Sequence, residues 1–206
     1  MGERILIRNA LLWTAVDRPP IPDSGVLVED GRIAAAGRRL RARADVRIDA
    51  DGALLMPAFV QTHLHLCQTL FRGAAEDEPL LPWLNRFIWP LEAAHDEDSI
   101  RASARLACAE LIRGGTTTFL SMETVRHTGA VFEAVAEAGL RGFIGHCLMD
   151  ETGGYPPLAV PVEDSLADCE LLLRRWEAHP RLGLAVAPRF ALSCSAASLR
   201  EASAYA

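Results

Sequence analysis

Two histidines one residue apart, His63 and His65, are the residues whose type and spacing point most directly to chemistry. They follow Ala58-Phe59-Val60-Gln61-Thr62, which reads as a short strand. Residues two apart on a strand point to the same face, so both imidazoles converge at its carboxyl end. Imidazole suits zinc or iron, and two ligands on one rigid element preorganise half of a metal site. An H-x-H pair alone is common, and two unrelated polar histidines at a strand end is the simpler alternative. The lead-in, Pro57 and apolar residues after a stretch of short strands, tips the reading toward metal.

Other chemistries are excluded by composition. All 21 basic residues are Arg, which removes Schiff-base lysines, a P-loop lysine and any metal pair bridged by a carbamylated lysine. A net charge of −6 argues against nucleic acid as a partner. No run approaches the roughly 20 apolar residues of a membrane span, so no membrane partner is expected. Five widely spaced cysteines (Cys67, Cys108, Cys147, Cys169, Cys194) form no C-x-x-C and read as reduced thiols, hence a cytoplasmic protein. Met1-Gly2-Glu3-Arg4 leads straight into a strand pattern, with no signal peptide visible.

The elements that must position the histidines fall into two stretches. Residues 1–56 read as short strands and turns: 5–7 leading to 10–13, 25–29, 32–37 and 46–49. Asp30-Gly31 makes a hairpin, because both central turn residues need positive φ, and Asp51-Gly52 makes a second turn. From Pro57 strands alternate with helices. Strands are expected at 58–62, 116–120, 140–147 and 182–187. Helices are expected at 79–92 (ending or kinking near Pro90), from Asp96 to Gly114-Gly115, at 127–138, at 163–178 and from Ser195. Ala104, Ala107, Cys108, Leu111 and Ile112 give the second helix its apolar face, and 150–162 is a Pro/Gly-rich loop. The fold class is α/β with a parallel sheet, either an open doubly wound sheet or half of a (β/α)₈ barrel. The chain stops inside its last helix pattern, which reads as a truncation.

Met56-Pro57-Ala58-Phe59-Val60-Gln61-Thr62-His63-Leu64-His65 resembles the first-strand motif of the amidohydrolase superfamily. Thr69-Leu70-Phe71-Arg72-Gly73, Leu81-Pro82-Trp83-Leu84 and Ile88-Trp89-Pro90-Leu91-Glu92 resemble its purine- and triazine-deaminating branch. Gly114-Gly115-Thr116-Thr117-Thr118 and the run Ala187 to Ser195 extend the likeness. That branch includes S-adenosylhomocysteine/methylthioadenosine, 5′-deoxyadenosine and guanine deaminases and triazine hydrolases. The resemblance implies a β-sandwich, whose first part is residues 1–56, joined to a metal-bearing (β/α)₈ (TIM) barrel, whose first half is residues 57–206.

It also implies one divalent metal, zinc with iron(II) as the alternative, on His63 and His65. The family's other ligands come from the fifth and eighth strands, with a further histidine on the sixth and a glutamate proton shuttle. No catalytic acid or base is therefore expected in this half, which alone would be inactive. The implied reaction is hydrolytic deamination of an aminated heterocycle, with adenosine-type purines favoured. Guanine deamination and triazine amino- or chlorohydrolysis are alternatives, and a non-catalytic fragment or interaction module is the reading from another class. A homo-oligomer is left open for the complete protein. Gln68 matches a ring-binding glutamine, Glu92 a carboxylate for ribose hydroxyls, and Trp83 a pocket wall. Arg189, in Pro188-Arg189-Phe190, would donate to a purine carbonyl or ring nitrogen. His95, His127, His146 and His179 match no ligand and read as surface or loop residues. Glu123 and Asp150 lie at the catalytic end and read as structural.

Overall fold

The computed structural model describes residues 2–151 and 155–205, and the chain divides into two compact units, Met1–Ala58 and Phe59–Ala206. Part of the loop expected at 150–162 thus lies outside the described residues.

The first unit is one sheet. Its strands are β1 (Arg4–Leu12), β2 (Ile21–Glu29), β3 (Arg32–Arg38), β4 (Val46–Asp49) and β5 (Leu54–Leu55). The order is β3-β2-β1-β4, with β5 also on β1. Asp30 and Gly31 take φ of 52° and 72°, the hairpin geometry their sequence demands. Asp51 and Gly52 repeat it at 49° and 78°. Two features differ from the sequence reading. The segments 5–7 and 10–13 form one strand interrupted by a register shift, with Asn9 at φ 55° and its amide on Asp49. β2 begins four residues earlier than Gly25, across Pro22 and Asp23, because the register shift between Ala10 and Leu12 of β1 absorbs a residue type that a regular ladder would reject.

The second unit holds β6 (Phe59–Leu64), β7 (Thr116–Met122), β8 (Arg141–Leu148) and β9 (Leu182–Pro188), all parallel and in the order β6-β7-β8-β9. A doubly wound sheet needs a point where strand order reverses. Among the described residues the order runs in one direction, with no such reversal. Between strands lie α1 (Leu80–Trp83), α2 (Trp89–Ala93), α3 (Glu97–Arg113), α4 (Thr128–Ala138) and α5 (Val162–Trp176), and α6 (Ala196–Tyr205) follows β9.

α3 starts where charge and capping direct it. Asp96 accepts from the Ser99 backbone N–H at 2.8 Å, Ser99 Oγ bonds back to Asp96 N, and Glu97 and Asp98 occupy the positive end. Ile100, Ala104, Ala107 and Cys108 are buried against Phe119, Val131, Phe132, Val135 and Ile144 in the main core. Ile112 is instead half exposed, contrary to the face read from sequence. Each i to i+4 step advances about 40° around a helix, so the row 100, 104, 108, 112 rotates off the core.

The helix expected at 79–92 is broken as its proline requires. α1 passes into a π-helical turn, Leu84–Ile88, and α2 follows with Pro90 in its first turn. Pro90 lacks an N–H and would crowd the carbonyl four residues back; the widened turn relieves this. Leu84, Ile88 and Trp89 are thereby buried with Val125, Cys147 and Met149 over the carboxyl ends of the strands.

Candidate functional site

His63 sits near the end of β6 and His65 just beyond it. Their rings lie side by side, centroids 5.1 Å apart and nearly perpendicular. His65 is half-buried, and its Nδ1 lies 2.7 Å from the Met122 carbonyl at the end of β7. A carbonyl can only accept, so Nδ1 carries the hydrogen and Nε2 keeps its lone pair. Burial, with the nearby Arg189 and His63, lowers the His65 pKa below the usual histidine value, against the Met122 bond. A neutral imidazole with its second nitrogen fixed by a carbonyl is the form that ligates metals. The two histidines therefore fit as part of a metal site. Among the described residues no group of three or more His, Cys, Asp or Glu side chains is arranged to complete one.

The other sequence-identified residues meet beside them. Glu92, on α2, accepts from Gln68 Nε2 at 2.6 Å and from both terminal nitrogens of Arg189 at 2.6 and 3.0 Å. The side chains of Arg189 and Glu92 are 6% and 1% exposed, so this is a buried, bidentate ion pair. Burial alone would lower the Arg189 pKa; the Glu92 carboxylate outweighs it, and the guanidinium is held firmly charged. Its carbon lies 5.9 Å from the Trp89 ring centroid. His65, Gln68, Trp83, Phe71 and Ile88 line one cavity of about 310 Å³. Glu92 and Arg189 do not line it and reach it through Gln68. A larger cavity, about 630 Å³, runs along the free edge of β6 beside α3, with His65 at one end.

Several residues have roles that local sequence did not signal. Glu123, 1% exposed, accepts from the backbone N–H groups of Leu66 and Cys67 at 3.3 and 2.8 Å, and burial raises its carboxyl pKa. His95 is a loop residue, but both ring nitrogens are bonded, to Ser99 Oγ and to the Cys67 carbonyl. His146 is neither surface nor loop: it is buried on β8 with Nδ1 against Thr128 Oγ1. His127 and His179 do lie in loops. Asp150 accepts from Ser195 N and so fixes the entry to α6. The one signal that could have singled out Glu123 is a carboxylate placed just past the carboxyl end of a strand.

The model of the amidohydrolase family matches residues 54–206. A 5-methylthioadenosine/S-adenosylhomocysteine deaminase from Syntrophobacter fumaroxidans is 37% identical, over 94% of this chain and 44% of its own length. A 5′-deoxyadenosine deaminase from Methanothermobacter thermautotrophicus is 40% identical, over 91% and 44%. Among solved structures, guanine deaminase from C. acetobutylicum with bound guanine superposes with a TM-score of 0.87 at 25% identity, over 97% of this chain and 49% of that one. An adenosine deaminase from Xanthomonas campestris with bound zinc gives 0.84 at 28% identity, over 97% and 46%. The chain belongs to the amidohydrolase family, and it spans a little under half the length of the curated relatives it matches.

Proposed function

We propose that the chain is the amino-terminal half of a metal-dependent aminohydrolase that removes an exocyclic amine from a purine or purine nucleoside, with adenosine-type substrates favoured. In this reading the first unit belongs to a β-sandwich and the second is the first half of a (β/α)₈ barrel. Four parallel strands in sequential order support the barrel. The observation that carries the function is that His65 and Gln68 line one cavity while Glu92 and Arg189, brought from α2 and the end of β9, hold Gln68 from behind it.

His63 and His65 would hold the metal, zinc or alternatively iron(II). When bound, such a metal supplies Lewis acidity that lowers the pKa of a water toward about 7. The chain's own residues hold the substrate. Glu92 can only accept, so Gln68 turns its NH₂ toward it and leaves its amide oxygen to accept from a ring N–H or an amine. Arg189 acts from behind the cavity: its two terminal nitrogens fix the Glu92 carboxylate, which in turn holds Gln68. Trp83 supplies a wall for a flat ring.

A guanine substrate is the second reading, and one observation favours it. Both Glu92 oxygens are engaged by Arg189 and Gln68, rather than open to a ribose diol. Ammonia release by the complete protein separates the two. Turnover of 5′-deoxyadenosine or methylthioadenosine well above guanine supports the first reading, and the reverse order supports the second.

A further inference from the structure

Residues 65–67 carry a dense set of polar contacts. His65 Nδ1 donates to the Met122 carbonyl, and the next two backbone N–H groups, of Leu66 and Cys67, go to the two oxygens of Glu123. Two consecutive residues at the end of β7 thus grip three consecutive residues at the end of β6. The carbonyls of the same segment are held from the other side: Leu66 O accepts from Ser103 Oγ at 2.8 Å, and Cys67 O from His95 Nε2 at 2.9 Å. Leu66, Cys67, Ser103 and Glu123 are all buried.

The clamped dipeptide lies between two residues of the site. His65 precedes it and Gln68 follows it. A carboxylate sealed from water needs a reason to be there, since an ordinary turn could satisfy two N–H groups without burying a charge. We infer that Glu123 is a positioning residue, whose paired acceptance of Leu66 N and Cys67 N fixes the metal-binding histidine His65 and the ring-facing Gln68 in one register. The inference rests on the metal and substrate reading above and adds a residue to it. Glu123 acts through the backbone and touches neither metal nor substrate.

A carboxylate is suited to the task. Its two oxygens accept in parallel from adjacent N–H groups, whereas an amide offers one oxygen and turns a competing NH₂ toward the second donor. Glu123→Gln keeps the shape and breaks half of the grip. Ser103→Ala is the control, since it removes a hydrogen bond from the same segment on its opposite side.

The test uses the complete protein that contains this chain, loaded with zinc and, separately, with cobalt(II). The measurements are zinc loss to a chelator, the visible absorption of the cobalt form, KM and kcat, each well below the melting temperature. Glu123→Gln should lose zinc about tenfold faster or more, the usual scale for support of a metal ligand. It should also shift the cobalt band and raise KM, while Ser103→Ala leaves the band in place. Should Glu123→Gln fail to fold, Glu123→Asp, charged but one methylene short, takes its place with the same expectation. Zinc retention and cobalt spectrum identical to wild type in a folded Glu123 variant would overturn the inference. Metal content unchanged by His63→Ala with His65→Ala would instead overturn the metal reading beneath it, which separates the two failures.

Discussion

Arg189 and Glu92 sit 97 residues apart in sequence and form the buried ion pair of the candidate site. Removing one partner of such a buried pair strands the other charge, at a cost of about 3–5 kcal/mol. Arg189→Ala and Glu92→Gln are therefore each expected to lower both the melting temperature and turnover. Joining Arg189→Met to Glu92→Leu removes both charges; it should recover much of the stability and none of the turnover. Recovery of both in the double variant would assign the pair a purely structural role. The histidine pair was legible in sequence because strand periodicity is local. The Arg189–Glu92 contact and the Glu123 grip on Leu66 and Cys67 were not, because partners brought together by topology leave no mark on spacing along the chain.

At the scale of elements, the strands lie close enough that one glycine is required. A Cβ on Gly145, in the middle of β8, would stand 2.4 Å from the Ser121 carbonyl oxygen of β7 and 3.1 Å from Ala187 of β9. Backbone cannot yield as a flexible side chain would, so Gly145→Ala should destabilise by about 1–3 kcal/mol or more, read as a drop in melting temperature. An unchanged melting temperature would contradict that strand spacing. On the helical side, Glu133 of α4 pairs with Arg101 of α3 at 2.7 Å and with Arg175 of α5 at 2.7 Å. The Arg101 bond first, and Arg175 with it, hold the Glu133 carboxyl below its ordinary 4.5. A depressed folded-state pKa contributes stability that is present above the unfolded value and lost as pH falls through the folded one. The melting-temperature gap between wild type and Glu133→Gln should thus be largest near neutral pH and close below 4.5; a gap constant with pH would exclude the ionic contribution. Capping at Asp96 and the Asp30-Gly31 hairpin could be read from sequence, since both are chemistry within a few residues. The π-helical turn before Pro90 could only be anticipated as a kink, because which neighbour absorbs the strain depends on what packs against it.

For the molecule as a whole, the second unit presents apolar side chains that its own residues leave uncovered, among them Phe59, Val60, Leu120 and Phe143. No helix among the described residues is long and apolar enough to cross a membrane. Two histidines fall short of the three protein ligands usual at a catalytic zinc. Residues 1–206 expressed alone should accordingly hold zinc weakly and release no ammonia from purines; tight zinc with turnover would contradict the half-barrel reading. The most direct test of the central claim is made on the complete protein, by assaying zinc content and ammonia release from adenosine-type purines and guanine together, in wild type and in His63→Ala with His65→Ala. The expected result is zinc-dependent ammonia release from at least one of these substrates, with both zinc and turnover lost in the double variant. Full turnover without the two histidines, or no ammonia from any of these substrates by the zinc-loaded wild type, would contradict it.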